Sequence, residues 1–171
     1  VSLKALLANR LRDDDCAGMV KPGFDIDEWL ADPTNILLTE NGIDIVMLEG
    51  NGQGVYNLHW LLASRGKSAL SVAERLLRRA FVQHGAVQVF GWTPVHLRAA
   101  RWFNRKIGGT SLGMRQTEWG PMEGFSLTRE QFEARYVVSH RQASEEQGLP
   151  VAPIVLRPDG AAAGRTRASA S

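Results

Sequence analysis

The sequence predicts an α/β fold: a mixed, mostly antiparallel sheet flanked by helices, with an extended C-terminal tail. Three observations carry this. Between Asn35 and Ser64, three apolar runs are joined by short links, as in an antiparallel meander. From Val55 to Gly109 the chain reads strand, basic turn, helix, strand, helix, long enough for a parallel crossover. From Ser139 the composition becomes small and polar. The chain therefore divides into a domain, residues 1–138, and an arm, residues 139–171.

Each element has a local signal. Leu3, Leu6, Leu7 and Leu11 suit an amphipathic first helix, whose charges also break any secretory signal. Asp13 to Gly23 is a loop, and Asp25 to Leu30 a short helical turn ended by Asp32-Pro33. Asn35–Glu40 and Ile43–Glu49 flank Asn41-Gly42, a pair suited to the positive φ angles of a two-residue hairpin turn. GNGQG then leads to the strand Val55–Ser64. Beyond Arg65–Leu70, a stripe of Leu70, Ala73, Leu76, Leu77, Ala80 and Phe81 marks a helix ended at His84-Gly85. Ala86–Trp92 is a second apolar strand. Thr93-Pro94 opens the next helix, with Ala99, Ala100, Phe103 and Ile107 facing inward and Trp92 and Trp102 in the core. Thr110–Gly120 is a strand, Pro121–Gly124 a turn, and Phe125–Leu127 a brief strand. Thr128 with Gln131 forms a capping box for a helix from Arg129 to about Val138.

Composition excludes several classes. With 44% hydrophobic and 22% charged residues the chain is ordinary globular material, and no apolar run is long enough to span a bilayer. A net charge of +2 and a pI near 9.0 are too mild to mark a nucleic-acid binder. The cations are concentrated between Arg65 and Lys106, either as solvated helix faces or as an attractor for a phosphorylated ligand. The lone Cys16 fits a reducing, cytoplasmic setting and serves as a packing residue. His59, His84, His96 and His140 lack ligand spacing, so no metal site is expected. Neither a nucleophile elbow nor a dinucleotide or Walker glycine pattern occurs.

Two motifs resemble the GNAT superfamily, the Gcn5-related N-acetyltransferases, over roughly Asn35 to Gln116. Arg65-Gly66-Lys67-Ser68-Ala69-Leu70 stands where that family has a Q/R-x-x-G-x-G/A turn between strand and helix. The resemblance implies that Arg65, Gly66, Lys67, Ser68, Ala69 and Leu70 hold the pyrophosphate of acetyl-CoA. Leu61 and Leu62 would line the cofactor, and the strands Val55–Ser64 and Ala86–Trp92 would splay around its pantetheine. The physics is that of orphan N–H donors and the positive end of a helix dipole. In the second motif, Ala100, Phe103 and Gly108 fit the family's N-x-x-A-x-x-F-Y-x-x-x-G-F pattern. Leu97 replaces its CoA-contacting asparagine, Asn104 its thiolate-protonating tyrosine, and Gly109 its aromatic.

The implied partners are a CoA thioester and an amine acceptor. His59, on the strand before the turn, is the candidate base, because an imidazole titrates near neutrality. Glu49 is a second candidate base and Tyr56 a candidate proton donor to the thiolate. The departures at Leu70 and Asn104 carry an alternative: a GNAT-fold adaptor in a virion, since the chain is most similar to small acetyltransferase-like proteins of tailed bacteriophages. In that reading the arm Leu149–Ser171 anchors to neighbouring protein subunits through Val151, Ile154, Val155 and Leu156.

Overall fold

The computed structural model describes residues 2–13, 20 and 23–136. Cys16, His140 and the expected arm lie outside the described residues.

The described residues form α1 (Leu3–Arg12), α2 (Ile26–Ala31), β1 (Ile36–Glu40), β2 (Asp44–Gly50), β3 (Val55–Leu61), α3 (Gly66–Arg78), β4 (Gln88–Pro94), α4 (Arg98–Lys106), β5 (Thr110–Thr117), β6 (Gly120–Thr128) and α5 (residues 129–136). The strands form one sheet in the order β1-β2-β3-β4-β6-β5, antiparallel throughout except between β3 and β4. The expected mixed, mostly antiparallel sheet with flanking helices is therefore the observed one.

Alternation along β2 and β3 sends two apolar sets to opposite faces. Ile45, Met47 and Leu61 pack against Leu7 of α1 and Trp29 of α2. Val46, Leu48 and Val89 pack against Val72, Leu76, Leu77 and Phe81. Phe81 is fully buried, and burying a side chain of that size contributes about 1.5–3 kcal/mol. Phe81 belongs to a π-helical turn, Arg79–Gln83, that continues α3 and keeps the stripe on the sheet.

Several local expectations are corrected. The Asn41-Gly42 hairpin closes through three residues, since Glu40 pairs with Asp44. Pro94 ends β4 instead of opening α4, which starts at Arg98. Val95 N–H donates to Pro121, so the missing N–H of Pro94 falls on the edge β3 has left and costs no sheet bond. Pro121–Gly124 is strand, and the turn is at residues 118–119. Gly124 is glycine for close approach: a Cβ there would lie 2.9 Å from the Trp92 ring. Ala99 is exposed, and Trp102 is 49% exposed, not core.

Candidate active site

β3 and β4 pair only at Val55–Gln88, Tyr56–Val89 and Asn57–Phe90, then diverge. Gly91 marks the parting point, since a Cβ there would meet the Leu58 carbonyl oxygen at 2.9 Å. Past it, Leu58–Leu61 and Gly91–Pro94 run on without pairing to each other. A V-shaped opening results, and at the C-terminal end of β3 the chain enters α3.

The turn into α3 is bare. Arg65 is the N-cap and has no side-chain capping bond, and the first turn holds no acidic residue. Gly66 adopts φ +57, with open space where a Cβ would be. Among the described residues, the N–H groups of Gly66, Lys67 and Ser68 have no intrahelical acceptor, and residues 65–68 are all exposed. Asp44, fully buried, fixes the preceding loop by accepting from Ser64 N (2.8 Å) and Ser64 Oγ (2.7 Å).

The other sequence candidates are placed as follows. Arg65 Nη1 donates to the Leu62 carbonyl at 2.5 Å and to the Ser64 carbonyl at 3.2 Å, so its guanidinium folds back on its own loop. Arg10 donates to the Leu61 carbonyl (3.3 Å) and the Leu62 carbonyl (3.0 Å). The Leu61 side chain is fully buried under α1, and Ala69, in the first turn of α3, is buried too. Leu70 lines a groove with Ile107, Phe132 and Tyr136, beside the turn's helix and away from its free N–H groups.

His59 and Tyr56 do not come together. Tyr56 packs on the α3 face of the sheet. His59 lies on the opposite face with Asn57, opposite Met47 in register. There it meets Glu49. The atoms His59 Nε2, Asn57 Nδ2 and Glu49 Oε2 form a near-equilateral triangle with sides of 3.0, 3.1 and 3.2 Å. Trp29 Nε1 donates to the second oxygen, Glu49 Oε1, at 3.2 Å. The hydrogen bond with His59 is the main cause that holds the Glu49 pKa down to about 2; burial opposes it, and the His59 charge, Asn57 and Trp29 add to the lowering. Asn57 and Trp29 are the members that sequence reasoning missed. The short GNGQG link sets the β2–β3 register, placing Asn57 opposite Glu49.

The concentrated cations are mostly engaged within the fold. Arg75 pairs with Glu40, Arg79 with the Thr39 carbonyl, and Arg78 with Tyr136. Arg101 and Arg105 close on buried Glu123. Asn104 donates to Thr93 Oγ1 at 2.9 Å. His96 is exposed. No group of three or more metal-ligating side chains occurs among the described residues, and none of their helices is long and apolar enough to cross a membrane.

Comparison with solved structures decides the fold. A mutant of the spermidine N-acetyltransferase SpeG from Vibrio cholerae superposes with a TM-score of 0.62 at 13% identity, covering 80% of this chain and 96% of that one. The aminoglycoside acetyltransferase AAC(6')-Ib, solved in complex with coenzyme A, gives 0.57 at 17% identity, covering 77% and 92%. The fold is that of the GNAT acetyltransferases. An uncharacterised protein from Bacillus halodurans shares it, with a TM-score of 0.63 at 9% identity over 80% and 86%. No family model and no curated protein matches the sequence. The fold likeness thus stands on geometry, and the β3–β4 opening with its bare helix terminus is the part of this GNAT fold that offers a site.

Proposed function

We propose that this chain is an N-acetyltransferase that uses acetyl-CoA and a primary or secondary amine. The observation that carries the reading is the β3–β4 opening, which leads at one end to the unpaired N–H groups of Gly66, Lys67 and Ser68. Those donors, the α3 dipole and the Lys67 charge suit a pyrophosphate. A second observation supports the fit. Trp60 Nε1, on β3 past the last pair, is a buried donor without an acceptor among the described residues. A ligand carbonyl entering the opening would satisfy it.

Bound acetyl-CoA supplies an acetyl thioester that an amine can attack. The protein's part is to deliver the amine neutral and to take its proton. As the new N–C bond forms and the C–S bond breaks, the amine proton passes to His59 Nδ1, the ring nitrogen left with a lone pair when Nε2–H donates to Glu49, and solvent returns a proton to the thiolate. Glu49 gives the imidazolium a charge partner at 3.2 Å. Asn57 Nδ2 donates to the same Glu49 oxygen at 3.0 Å and so helps to hold the carboxylate beside the ring. The amine acceptor approaches on the α1–α2 face, where this triad lies.

One observation favours a noncatalytic, adaptor role for the same fold: Asn104 commits its amide to Thr93 and has no proton to give a thiolate. A single experiment separates the readings. Thermal melting of the full chain should rise with added CoA, as native-state binding requires. Ser68→Glu puts an acid at the third position of α3, where it favours the helix but repels a phosphate. This variant should melt no lower than the parent and lose the response to CoA. A parent protein indifferent to CoA ends the enzyme reading.

A further inference from the structure

α1 and α2 cover one face of the sheet only over β1, β2 and β3. On the same face, β4, β6 and β5 present Phe90, Trp92, Met122 and Arg115 through cross-strand pairs. Trp92 and His59 each lie two residues past the last β3–β4 pair, Asn57–Phe90, so they stand at the same level on either side of the opening. Arg115 reaches back from β5 and lays its guanidinium over Trp92, with Cζ 3.6 Å from the ring centroid. Trp92 in turn lies tight against Gly124. Among the described residues no carboxylate pairs with Arg115, although the neighbouring arginines on α4 share Glu123 on the other face.

A guanidinium stacked on an indole is held flat, with its N–H edges turned outward. That is a preorganised fork for a carboxylate. We infer that Arg115 is an oxyanion subsite of the acceptor and that the acceptor is an amine carrying a distant carboxylate, the N-terminal amine of a short peptide. The inference rests on the acetyltransferase reading for the amine end only. Glu49 and His59 receive the cationic end across the opening. Paired strands are about 4.8 Å apart, and these no longer pair at this level, so the two groups stand further apart than that. Three extended residues span about 10 Å.

The test is calorimetric titration of the full chain with triglycine and with triglycinamide, which differ only in the terminal charge. Triglycine should bind at least about tenfold more tightly, the scale of one charge-assisted contact. Arg115→Gln should reduce its affinity to that of the amide, and Arg115→Lys, which keeps the charge but not the fork, should restore only part. Arg115 is exposed, so these variants keep the fold. Equal affinities for acid and amide, or no binding by either, overturn the inference. A dimer that Arg115→Gln dissociates also overturns it, assigning this face to a second copy. CoA titration is read separately. Discrimination without CoA binding leaves the subsite and removes the acetyltransferase reading; CoA binding without discrimination does the reverse.

Discussion

Two glutamates in this fold are held in their charged form by opposite means. Glu123, on β6, has a side chain only 6% exposed. Burial pushes its pKa up more than any other single cause, and Arg101, Ser111 and Arg105 together still bring it below the usual carboxylate range. Its oxygens are saturated: Arg101 Nε at 2.5 Å, Arg105 Nη2 at 2.7 and 2.9 Å, and Ser111 Oγ at 2.9 Å. Glu49, on β2, is 37% exposed, and its partners are an imidazole, an amide and an indole. None of those carries a permanent charge. A carboxylate locked between two guanidiniums cannot exchange protons or meet a substrate. One held by a titratable ring beside an opening can do both.

The largest effect should come from breaking the first site. Glu123→Ala leaves Arg101 without its buried partner and unties α4 from β5 and β6. Removing one member of a buried pair costs about 3–5 kcal/mol, which for a chain of this size is a fall in Tm on the order of 10 °C. Chemical denaturation of the variant measures it. A stability change under about 1 kcal/mol, the scale of an exposed pair, would mean that Glu123 is a surface ion pair and would erase the contrast.

The second site should behave in the opposite way. His59 is 27% exposed and fills no core position, so His59→Ala should melt close to the parent. Its effect belongs in turnover: kcat for acetylation should fall on the order of a hundredfold, the usual cost of losing a general base. A folded variant with unchanged kcat would transfer the proton to solvent or another group and leave His59 a structural residue.

The contrast also explains what could be read from the sequence. Signals that depend on a few neighbouring residues held. Asn41 and Gly42 do adopt φ +55 and +68. Thr128 and Gln131 do cap each other reciprocally, at 2.9 and 3.2 Å. The strand, bare turn and helix from Val55 to Arg78 follow the expected order. Two of the misreadings arose where proline and glycine serve tertiary contacts: Pro94 on an edge abandoned by β3, and Gly124 beneath Trp92. At the site, His59 and Glu49 both stood out by their chemistry, but as alternative bases and not as partners. The hold of Trp29 of α2 on Glu49 depends on how that helix packs, which no local pattern encodes. The arginines of α4 misled for the same reason. Their spacing marks one helix face, and whether that face meets solvent or a buried glutamate is decided by β6, some twenty residues away.

The smallest expected effect is on acid stability, and it sharpens the comparison most directly. In the unfolded chain Glu49 takes its proton near 4.5; in the fold its pKa is about 2. Between those values the unfolded state binds more protons, so lowering the pH favours unfolding. The carboxylate's contribution is whole above pH 4.5 and is lost as the pH falls toward 2. Because more than a third of the side chain is exposed, solvent screens the interaction and the contribution is modest. Denaturation midpoints of the parent and of Glu49→Gln, followed from pH 7 down to the acid limit, should therefore converge below pH 4.5. The chemical shift of the Glu49 carboxyl gives the pKa itself. In His59→Ala it should climb back toward 4.5, since the ring is the main cause of the lowering and Asn57 and Trp29 are lesser ones. A Glu49 that titrates near 4.5 in the parent would show that imidazole and carboxylate are not joined in the native protein. The proposed base would then have no charge partner, and the distinction between a locked glutamate and an available one would fall.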